Sequence, residues 1–305
     1  MSLRSYMKKN KFLLKGYIKC RNIQYAIATM ISPKLNTAMH YKEVFGKKWD
    51  INNPITLNDW VLWLKFNTYW NNPVVKQCAD KYRVREYIEK IKCSEILNDL
   101  IAVYEHIDDI EWDKLPNEFV IKLNVGCGYN IVVPDKTALD IEAEKKKLRK
   151  WMKEKYYLSH SEMQYKDVKQ YIIVEKYLKP QKGVLPEDYK FYCYDGVVPY
   201  VMVCTGRQAG SEPRFWYFNP QWEMQMLTRD ALKYGKETVI EKPEGMDRAF
   251  EYARKLSKGF PFVRVDLYIV DGKIYFGEFT FTPSAGLDGG RLKQTDELLG
   301  KYVKI

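Results

Sequence analysis

The chain has 305 residues, 46% hydrophobic and 29% charged, with 24 Tyr, 8 Trp and a formal net charge of +11. This is a globular composition with room for two or three subdomains, and its basic balance favours anionic partners: a nucleotide, a sugar acid, nucleic acid or anionic lipid. No run of about 18 apolar residues exists, which excludes a membrane-spanning helix. Six Cys with no CxxC pair, beside three His, argue against zinc and fit reduced thiols in the cytoplasm.

Residues 1–30 are basic and partly apolar, without the apolar core and small-residue cleavage site of a signal peptide. They read as a helix packed on its own domain, with an amphipathic helix lying on a membrane surface as the alternative. Residues 1–75 form a mainly helical region. Within it TLNDWVLWLKFN opens on a Thr56 or Asn58 cap and offers Trp60, Leu62, Trp63, Leu64 and Phe66 for packing.

A second unit is expected over 76–174. CADKYRVREYIEKI starts a helix, with Asp80 as cap and Lys81, Arg83 and Arg85 in its first turns. Cations there oppose the helix dipole, which makes a phosphate partner more plausible, with a solvated basic face as the alternative for any one of them. LPNEFVIKLNVGCGYNIVVPDK then reads as strand, glycine turn, strand. Lys122 stands just before the loop Asn124-Val125-Gly126-Cys127-Gly128, an arrangement that lets backbone amides approach phosphates. It is not GxxxxGK[ST], so it is no P-loop. Residues 140–168 are charged and helical.

The third unit is expected over 175–305. YIIVEKYLK (171–179) is a buried strand ending in polar residues, and DYKFYCYDGVVPYVMVC is a hairpin turning at Asp195-Gly196. EGMDRAFEYARKLSKGF is an amphipathic helix with Met246, Phe250, Ala253 and Leu256 inward and Gly259 at its end.

FVRVDLYIVDGKIYFGEFTFTPSAG (262–286) is the most telling stretch. Two strands flank Asp271-Gly272, with Arg264 and Asp266 on the first and Glu278 and Thr280 on the second. Hard oxygen donors on neighbouring strands suit Mg²⁺, and an adjacent arginine suits phosphate; the alternative is a half-exposed hairpin with surface ion pairs. Strand parity decides. A strict two-residue turn pairs Val265 with Glu278 and separates the acids. A three-residue loop, Val270–Gly272 with Gly272 as a left-handed bulge, pairs Arg264 with Glu278 and puts Asp266 on their face. The bulged turn is expected.

Five segments, ADKYRVREY, LPNEFVIK with its glycine loop, IIVEKYL, PEDYKFYCYDG and FPFVRVDLYIVDGKIYFGEFTFTPSAG, occur in an order that resembles the TupA-like ATP-grasp family, associated with teichuronopeptide and capsular polysaccharide synthesis in bacteria. The resemblance runs from about residue 40 to the C-terminus. The hairpin is also similar to the D-alanine ligase pattern. The resemblance implies an α+β chain with the ATP-grasp fold, two α+β subdomains clasping ATP behind a mainly helical N-terminal region. It implies that Lys122 and Lys81 contact ATP phosphates and that Asn124, Gly126, Cys127 and Gly128 belong to a lid. Glu175, Lys176, Tyr177 and Leu178 would form the adenine hinge, and Asp266, Glu278 and Thr280 would hold Mg²⁺. Arg264 would stabilise the transferring phosphoryl group, and Lys190 would line the same cleft. Departures are Thr280 where most ATP-grasp enzymes carry Asn, Val125-Gly126-Cys127-Gly128 in place of a lid with His, Asp59-Trp60 in place of Glu-Lys, and the ending GGRLKQTDELLG.

The implied activity is an ATP-dependent carboxylate–amine ligase, working through an acyl phosphate and joining an amine to a uronic-acid-containing glycan or its precursor. It needs no protein nucleophile, which matches the lack of a Ser-His-Asp or Cys-His signature. A sugar phosphotransferase using the same cleft is the second reading. A basic nucleic-acid-binding module ranks below, because no recognition-helix or RNP pattern is present, and no DxD pair supports a glycosyltransferase. The expected partners are ATP, Mg²⁺, an anionic sugar and an amine, with no nucleic acid. The expected location is the cytoplasm or the inner face of the membrane, reached through the basic N-terminus.

Overall fold

The computed structural model describes residues 11–180, 185–206 and 212–305. The sequence reading of residues 1–10 lies outside that range. The chain opens with helices α1 (Lys11–Ile31) and α2 (Pro33–Phe45), separated by Ser32-Pro33 because proline starts a helix but cannot continue one. Gly46 (φ 67°) ends α2 in the left-handed conformation. Helix α3 (Leu57–Leu64) starts on a reciprocal capping box: the Thr56 hydroxyl accepts from the Asp59 N–H, and the Asp59 carboxylate accepts from the Thr56 N–H. It runs into a π-helical turn, Lys65–Tyr69. Leu57, Val61, Leu64 and Tyr69 enter the main core, with Trp60 and Trp63 packed against its rim. Lys65 is fully buried, and its ammonium bonds the His160 carbonyl and, at 3.4 Å, the Thr37 hydroxyl. Short helices α4 (Pro73–Ala79) and α5 (Val84–Lys90) follow. No described helix is long and apolar enough to cross a membrane.

Among the described residues there are two antiparallel sheets. The first contains β1 (Leu100–Tyr104), β2 (Phe119–Leu123), β3 (Asn130–Val133) and β4 (Ile172–Lys176), in the order β1-β4-β2-β3. Along β2 the side chains alternate: Phe119, Ile121 and Leu123 are buried, whereas Val120 and Lys122 are half-buried. The buried set joins Ile172, Val174 and Leu148 of α6 (Ile141–Met152) in a smaller core. Lys122 is therefore on the opposite face, with Glu175. A four-residue helix α7 (Tyr157–His160) sits between α6 and β4.

The second sheet contains β5 (Asp188–Tyr194), β6 (Val197–Thr205), β7 (Arg214–Phe218), β8 (Met224–Gln225), β9 (Val263–Val270) and β10 (Lys273–Thr280), in the order β10-β9-β5-β6-β7-β8. Helices α8 (Arg229–Tyr234), α9 (Met246–Leu256) and α10 (Lys293–Gly300) complete the chain. One face of β5 and β9 presents Phe191, Cys193, Val265 and Leu267 to the inward side of α9, with the Phe191 and Phe250 rings perpendicular at 5.0 Å. Each such fully buried side chain stabilises the fold by roughly 1.5–3 kcal/mol. By strand parity the opposite face carries Asp188, Lys190, Tyr192, Arg264 and Asp266. Helices with two antiparallel sheets make this an α+β chain, as expected.

The turn expectation is corrected. Asp271 (φ 49°) and Gly272 (φ 70°) form a strict two-residue turn, and Val270 pairs with Lys273 across it. The bulge lies instead at Gly277, where the ladder steps from Phe276↔Leu267 to Glu278↔Asp266. The shared face survives, but Arg264 pairs with Thr280 rather than with Glu278. The physical reason is local: Asp-Gly accepts two left-handed residues unaided, and a Cβ at position 277 would lie 2.9 Å from the Asp266 carbonyl oxygen.

Candidate active site

The site is built on that face. The Arg264 fork grips Asp266 through Nε to Oδ1 and Nη2 to Oδ2, both 2.7 Å. Lys190 on β5 donates to Asp266 Oδ2 at 2.8 Å and to Asp188, two residues before it. The Thr280 hydroxyl accepts from Arg264 at 3.0 Å and donates to Glu278 Oε1 at 3.2 Å. Glu278 also stands 3.6 Å from the Lys81 ammonium. Three cations (Lys81, Lys190, Arg264) thus face three carboxylates (Asp188, Asp266, Glu278).

Burial is the largest influence on Asp266 and alone would raise its pKa. The charges of Arg264 and then Lys190 outweigh it, so the carboxyl is held below its ordinary value. Asp188 goes the other way, raised first by burial and then by the charge of Asp266. Burial would lower Lys190, but Asp266 outweighs that and the ammonium is stabilised.

The glycine loop is tied down at its root. Asn124 is fully buried. Its amide donates to Asp80 Oδ2 at 2.8 Å and to the Lys169 carbonyl at 2.9 Å, and its oxygen accepts from the Tyr171 N–H at 2.7 Å. The same Asp80 carboxylate caps the next turn by accepting from the Tyr82 and Arg83 N–H groups. Asn124 is therefore a bracket under the loop, and its side chain does not line the cleft. Beyond it Gly126 (φ 86°) and Gly128 (φ 79°) are left-handed, with Cys127 exposed between them. A Cβ on Gly126 would lie under 3 Å from the Tyr129 and Tyr156 rings. Lys81 donates to the Gly126 carbonyl while facing Glu278, and so joins the loop to the hairpin.

On the first sheet Lys122 donates to Glu175 Oε2 at 2.7 Å, and Arg85 lies 3.7 Å from Glu175 Oε1. The expected hinge needs one correction. The Lys176 N–H donates to the Asp99 carbonyl and its carbonyl accepts from the Asn98 amide, so the Lys176 backbone is already satisfied by the strand-edge segment. Its side chain is exposed toward Asp99. Tyr177 is buried and Leu178 half-buried.

Asp188 was missed by the sequence reading. The signal was present: two residues before Lys190 on a strand means the same face.

Among the described residues no three or more His, Cys, Asp or Glu side chains form a metal cage. A carboxylate has about four lone-pair sites, and Arg264 and Lys190 take three of those on Asp266. Glu278, with its side chain 32% exposed, keeps sites open. Two hard carboxylates with few remaining positions fit Mg²⁺, which keeps waters and takes substrate phosphates as ligands.

A family model described as TupA-like ATPgrasp matches residues 60–304 of the chain. No curated protein matches it. Among solved structures, a D-alanine–D-alanine ligase from Bacillus anthracis complexed with ATP is similar at 17% identity and a TM-score of 0.46, over 74% of this chain and 65% of that one. An L-amino acid ligase from Bacillus licheniformis is similar at 14% identity and a TM-score of 0.42, over 70% of this chain and 44% of that one. An N5-carboxyaminoimidazole synthase from Aspergillus clavatus, in complex with ADP and its ribonucleotide, is similar at 12% identity and a TM-score of 0.40, over 68% and 45%. The chain spans less than two thirds of the length of these three structures.

Proposed function

The chain belongs to the TupA-like ATP-grasp family, and on that premise we propose that it is an ATP-dependent carboxylate–amine ligase. In this reading a substrate carboxylate oxygen attacks the γ-phosphorus of ATP and ADP leaves. An amine nitrogen then attacks the acyl carbon, phosphate departs with the C–O electron pair, and the amine proton passes to solvent. The observation that carries the reading is the juxtaposition of Arg264, Lys190, Asp266 and Glu278 on one sheet face, with Lys81 bridging to the glycine loop.

The protein's part is positioning and charge neutralisation. Arg264, pre-oriented by its bonds to Asp266 and Thr280, faces the oxygens of the transferred group. Lys190 bonds two carboxylates and has a third donor for phosphate or substrate. Lys122 and Lys81 approach the remaining phosphate oxygens, and the glycine loop excludes water. Asp266 and Glu278 would hold Mg²⁺, which supplies neutralisation of phosphate charge.

The carboxylate donor in this reading is a uronic acid of a surface polysaccharide or its precursor, in keeping with the family's association and with the net charge of +11. Work at the inner face of a membrane belongs to the same reading: α1 exposes Ile23, Ile27, Met30 and Ile31 beside Lys15 and Lys19.

The test is ATP turnover with Mg²⁺ across uronic acids and amines, with products identified by mass. ADP, free phosphate and a new amide support the ligase; phosphate retained on the sugar identifies a phosphotransferase. Asp266→Asn and Glu278→Gln should each lower turnover by at least about a hundredfold, and undiminished turnover in both would refute the assignment of the metal wall.

A further inference from the structure

Residues 156–164 touch three parts of the molecule at once. Helix α7 (Tyr157–His160) is a single turn, and a helix end leaves its last carbonyls without partners inside the helix. Here all four are taken. The Tyr157 carbonyl accepts from the Ser161 and Glu162 N–H groups. The Leu158 carbonyl accepts from the Thr29 hydroxyl of α1 at 2.7 Å, and the Ser159 carbonyl from the Asn36 amide of α2 at 3.1 Å. The His160 carbonyl accepts from the buried Lys65 ammonium. Ser161 then turns the chain in the left-handed region (φ 55°), fully buried, with its hydroxyl 2.9 Å from that of Thr29. A serine stays in that costly conformation only where its surroundings hold it.

Each end of this clamped segment reaches the candidate site. At one end the Tyr156 ring packs against the Gly126 backbone, so close that a Cβ on Gly126 would lie 2.9 Å from it. The same ring stands edge-on to Tyr129 at 5.9 Å and to Tyr165 at 5.3 Å. At the other end the buried Glu162 carboxylate accepts from the Thr282 hydroxyl at 2.6 Å, and the Gln164 amide donates to the same Thr282 oxygen at 3.0 Å. Thr282 is buried and stands two residues beyond Thr280. Burial raises the Glu162 carboxyl, and the Thr282 bond and then the Lys65 charge oppose that rise.

We propose that residues 156–164 are a strut that sets the glycine loop against the metal-bearing hairpin, and that Glu162 is a positioning residue for phosphoryl transfer. The proposal rests on the ATP reading of the cleft. The loop has two ties to the hairpin. Lys81 is one, between the Gly126 carbonyl and Glu278, and it is a single long side chain. The strut is the other, from the Tyr156 ring to Thr282, and it is a packed backbone segment with every α7 carbonyl bonded. One tie leaves the loop free to pivot; two fix its angle as well as its distance. That matters because a misplacement of about 1 Å can cost about a hundredfold in rate. Helices α1 and α2 precede the residues that match the family model, yet through the strut they belong to the catalytic unit.

The experiment uses the full chain carrying Cys20→Ser, which leaves Cys127 as the exposed thiol among the described residues. Alkylation of each thiol by iodoacetamide is followed by mass spectrometry, with and without Mg²⁺ and a non-hydrolysable ATP analogue. In this parent chain the analogue should slow alkylation of Cys127 at least about tenfold as the loop closes. Glu162→Ala should bind the analogue within about threefold of the parent affinity and protect Cys127 less than about threefold. In Mg²⁺-dependent ATP turnover it should lower kcat at least about tenfold, with KM for ATP within about threefold. Thr282→Ser keeps the hydroxyl and should behave as the parent, whereas Thr282→Val should follow Glu162→Ala. Cys78, Cys93, Cys193 and Cys204 are buried, so a variant that merely unfolds is alkylated there as well. Gln164→Met strands no charge, and its loss of Cys127 protection then decides. Parent-like protection in Glu162→Ala, equal behaviour of Thr282→Ser and Thr282→Val, or a bound analogue that leaves Cys127 of the parent unprotected overturns the strut. A parent chain that does not bind the analogue overturns the ATP reading instead.

Discussion

Asp266 and Glu278 face one another across β9 and β10 because Gly277, between Phe276 and Glu278, is left out of the ladder. The cross-strand contacts of Arg264 with Thr280 and Glu278 follow from that one unpaired residue. A Cβ there would meet the Asp266 carbonyl at 2.9 Å and the Tyr268 ring at 3.0 Å. Gly277→Ala should destabilise the fold by about 1–3 kcal/mol through overpacking and reduce turnover with it. Deleting Gly277 makes the ladder regular and leaves Glu278 opposite Asp266, on the same face. A folded deletion variant, checked by circular dichroism, should therefore keep Mg²⁺-dependent ATP turnover; loss of turnover in a folded variant would show that the shared face alone does not make the site and that the bulge itself is needed.

Arg264 sets the ionisation of Asp266. Burial pushes that carboxyl up, and the arginine, assisted by Lys190, brings it below its ordinary value. The contribution has a definite sign: the ionised carboxylate is held down to low pH, and protonation there would end both the fork and any metal contact. Arg264→Gln removes the strongest opposing charge. The acidic limb of the kcat/KM profile should therefore move to higher pH, with kcat lower throughout. A limb that stays put would assign the acidic pKa to another group.

Some of this was legible in the sequence for a physical reason. Asp195-Gly196 is a turn by local preference, and the inward face of α9 follows from its 3.6-residue period, so both stand as expected; Asp271-Gly272 turns where expected but as a two-residue turn and not the bulged one. Non-local terms were not legible. The bulge depends on how β10 meets β9, which no property of Gly277 alone reveals. Asn124 finds Asp80 and Tyr171 at separations of 44 and 47 residues, so its role as a bracket is invisible in a loop motif. Strand β7 escaped because its burial does not alternate: Trp216, Tyr217 and Phe218 are all buried.

That bracket gives a stability prediction. Asn124→Ala removes three hydrogen bonds, leaving the buried Asp80 carboxylate without this partner and the Tyr171 N–H and Lys169 carbonyl without it at part-buried positions. Stranded buried groups cost about 1–3 kcal/mol each, so denaturant unfolding should show a loss of at least about 2 kcal/mol. Asn124→Asp keeps the acceptor for Tyr171 but sets a second carboxylate against Asp80, and should be no better. Native stability in Asn124→Ala would free the residue for the lid role first assigned to it.

His160 supplies a pH dependence. Burial first, then the charges of His40 and Lys65, push its pKa from 6.5 down to about 4. Above pH 6.5 neither folded nor unfolded chain holds the extra proton. As pH falls toward 4 the unfolded chain takes it and the folded chain resists, so stability is lost across that window, by roughly 3 kcal/mol at most. His40, also lowered by burial, acts in the same direction. His160→Gln cannot titrate. Its thermal midpoint should fall less between pH 6.5 and 4 than that of the native chain, and parallel curves would exclude His160 as the source.

Helix α1 is the remaining surface with a stated partner. Tyr25, Ala28 and Thr29 face inward, whereas Ile23 (51%), Ile27 (47%), Met30 (67%) and Ile31 (72%) are exposed, with Lys15 and Lys19 nearby. An apolar stripe flanked by lysines matches an anionic lipid surface, where each lysine contributes about 1 kcal/mol and the apolar side chains enter the headgroup boundary. The full chain should sediment with phosphatidylglycerol-containing vesicles and not with pure phosphatidylcholine. Ile23→Glu with Ile27→Glu lies on the solvent face and should leave the fold intact while lowering partitioning at least about tenfold. The two contributions separate by salt: screening weakens the lysine attraction and leaves the apolar one. Binding that survives the double substitution but vanishes at high salt would assign the contact to general basic charge and not to α1.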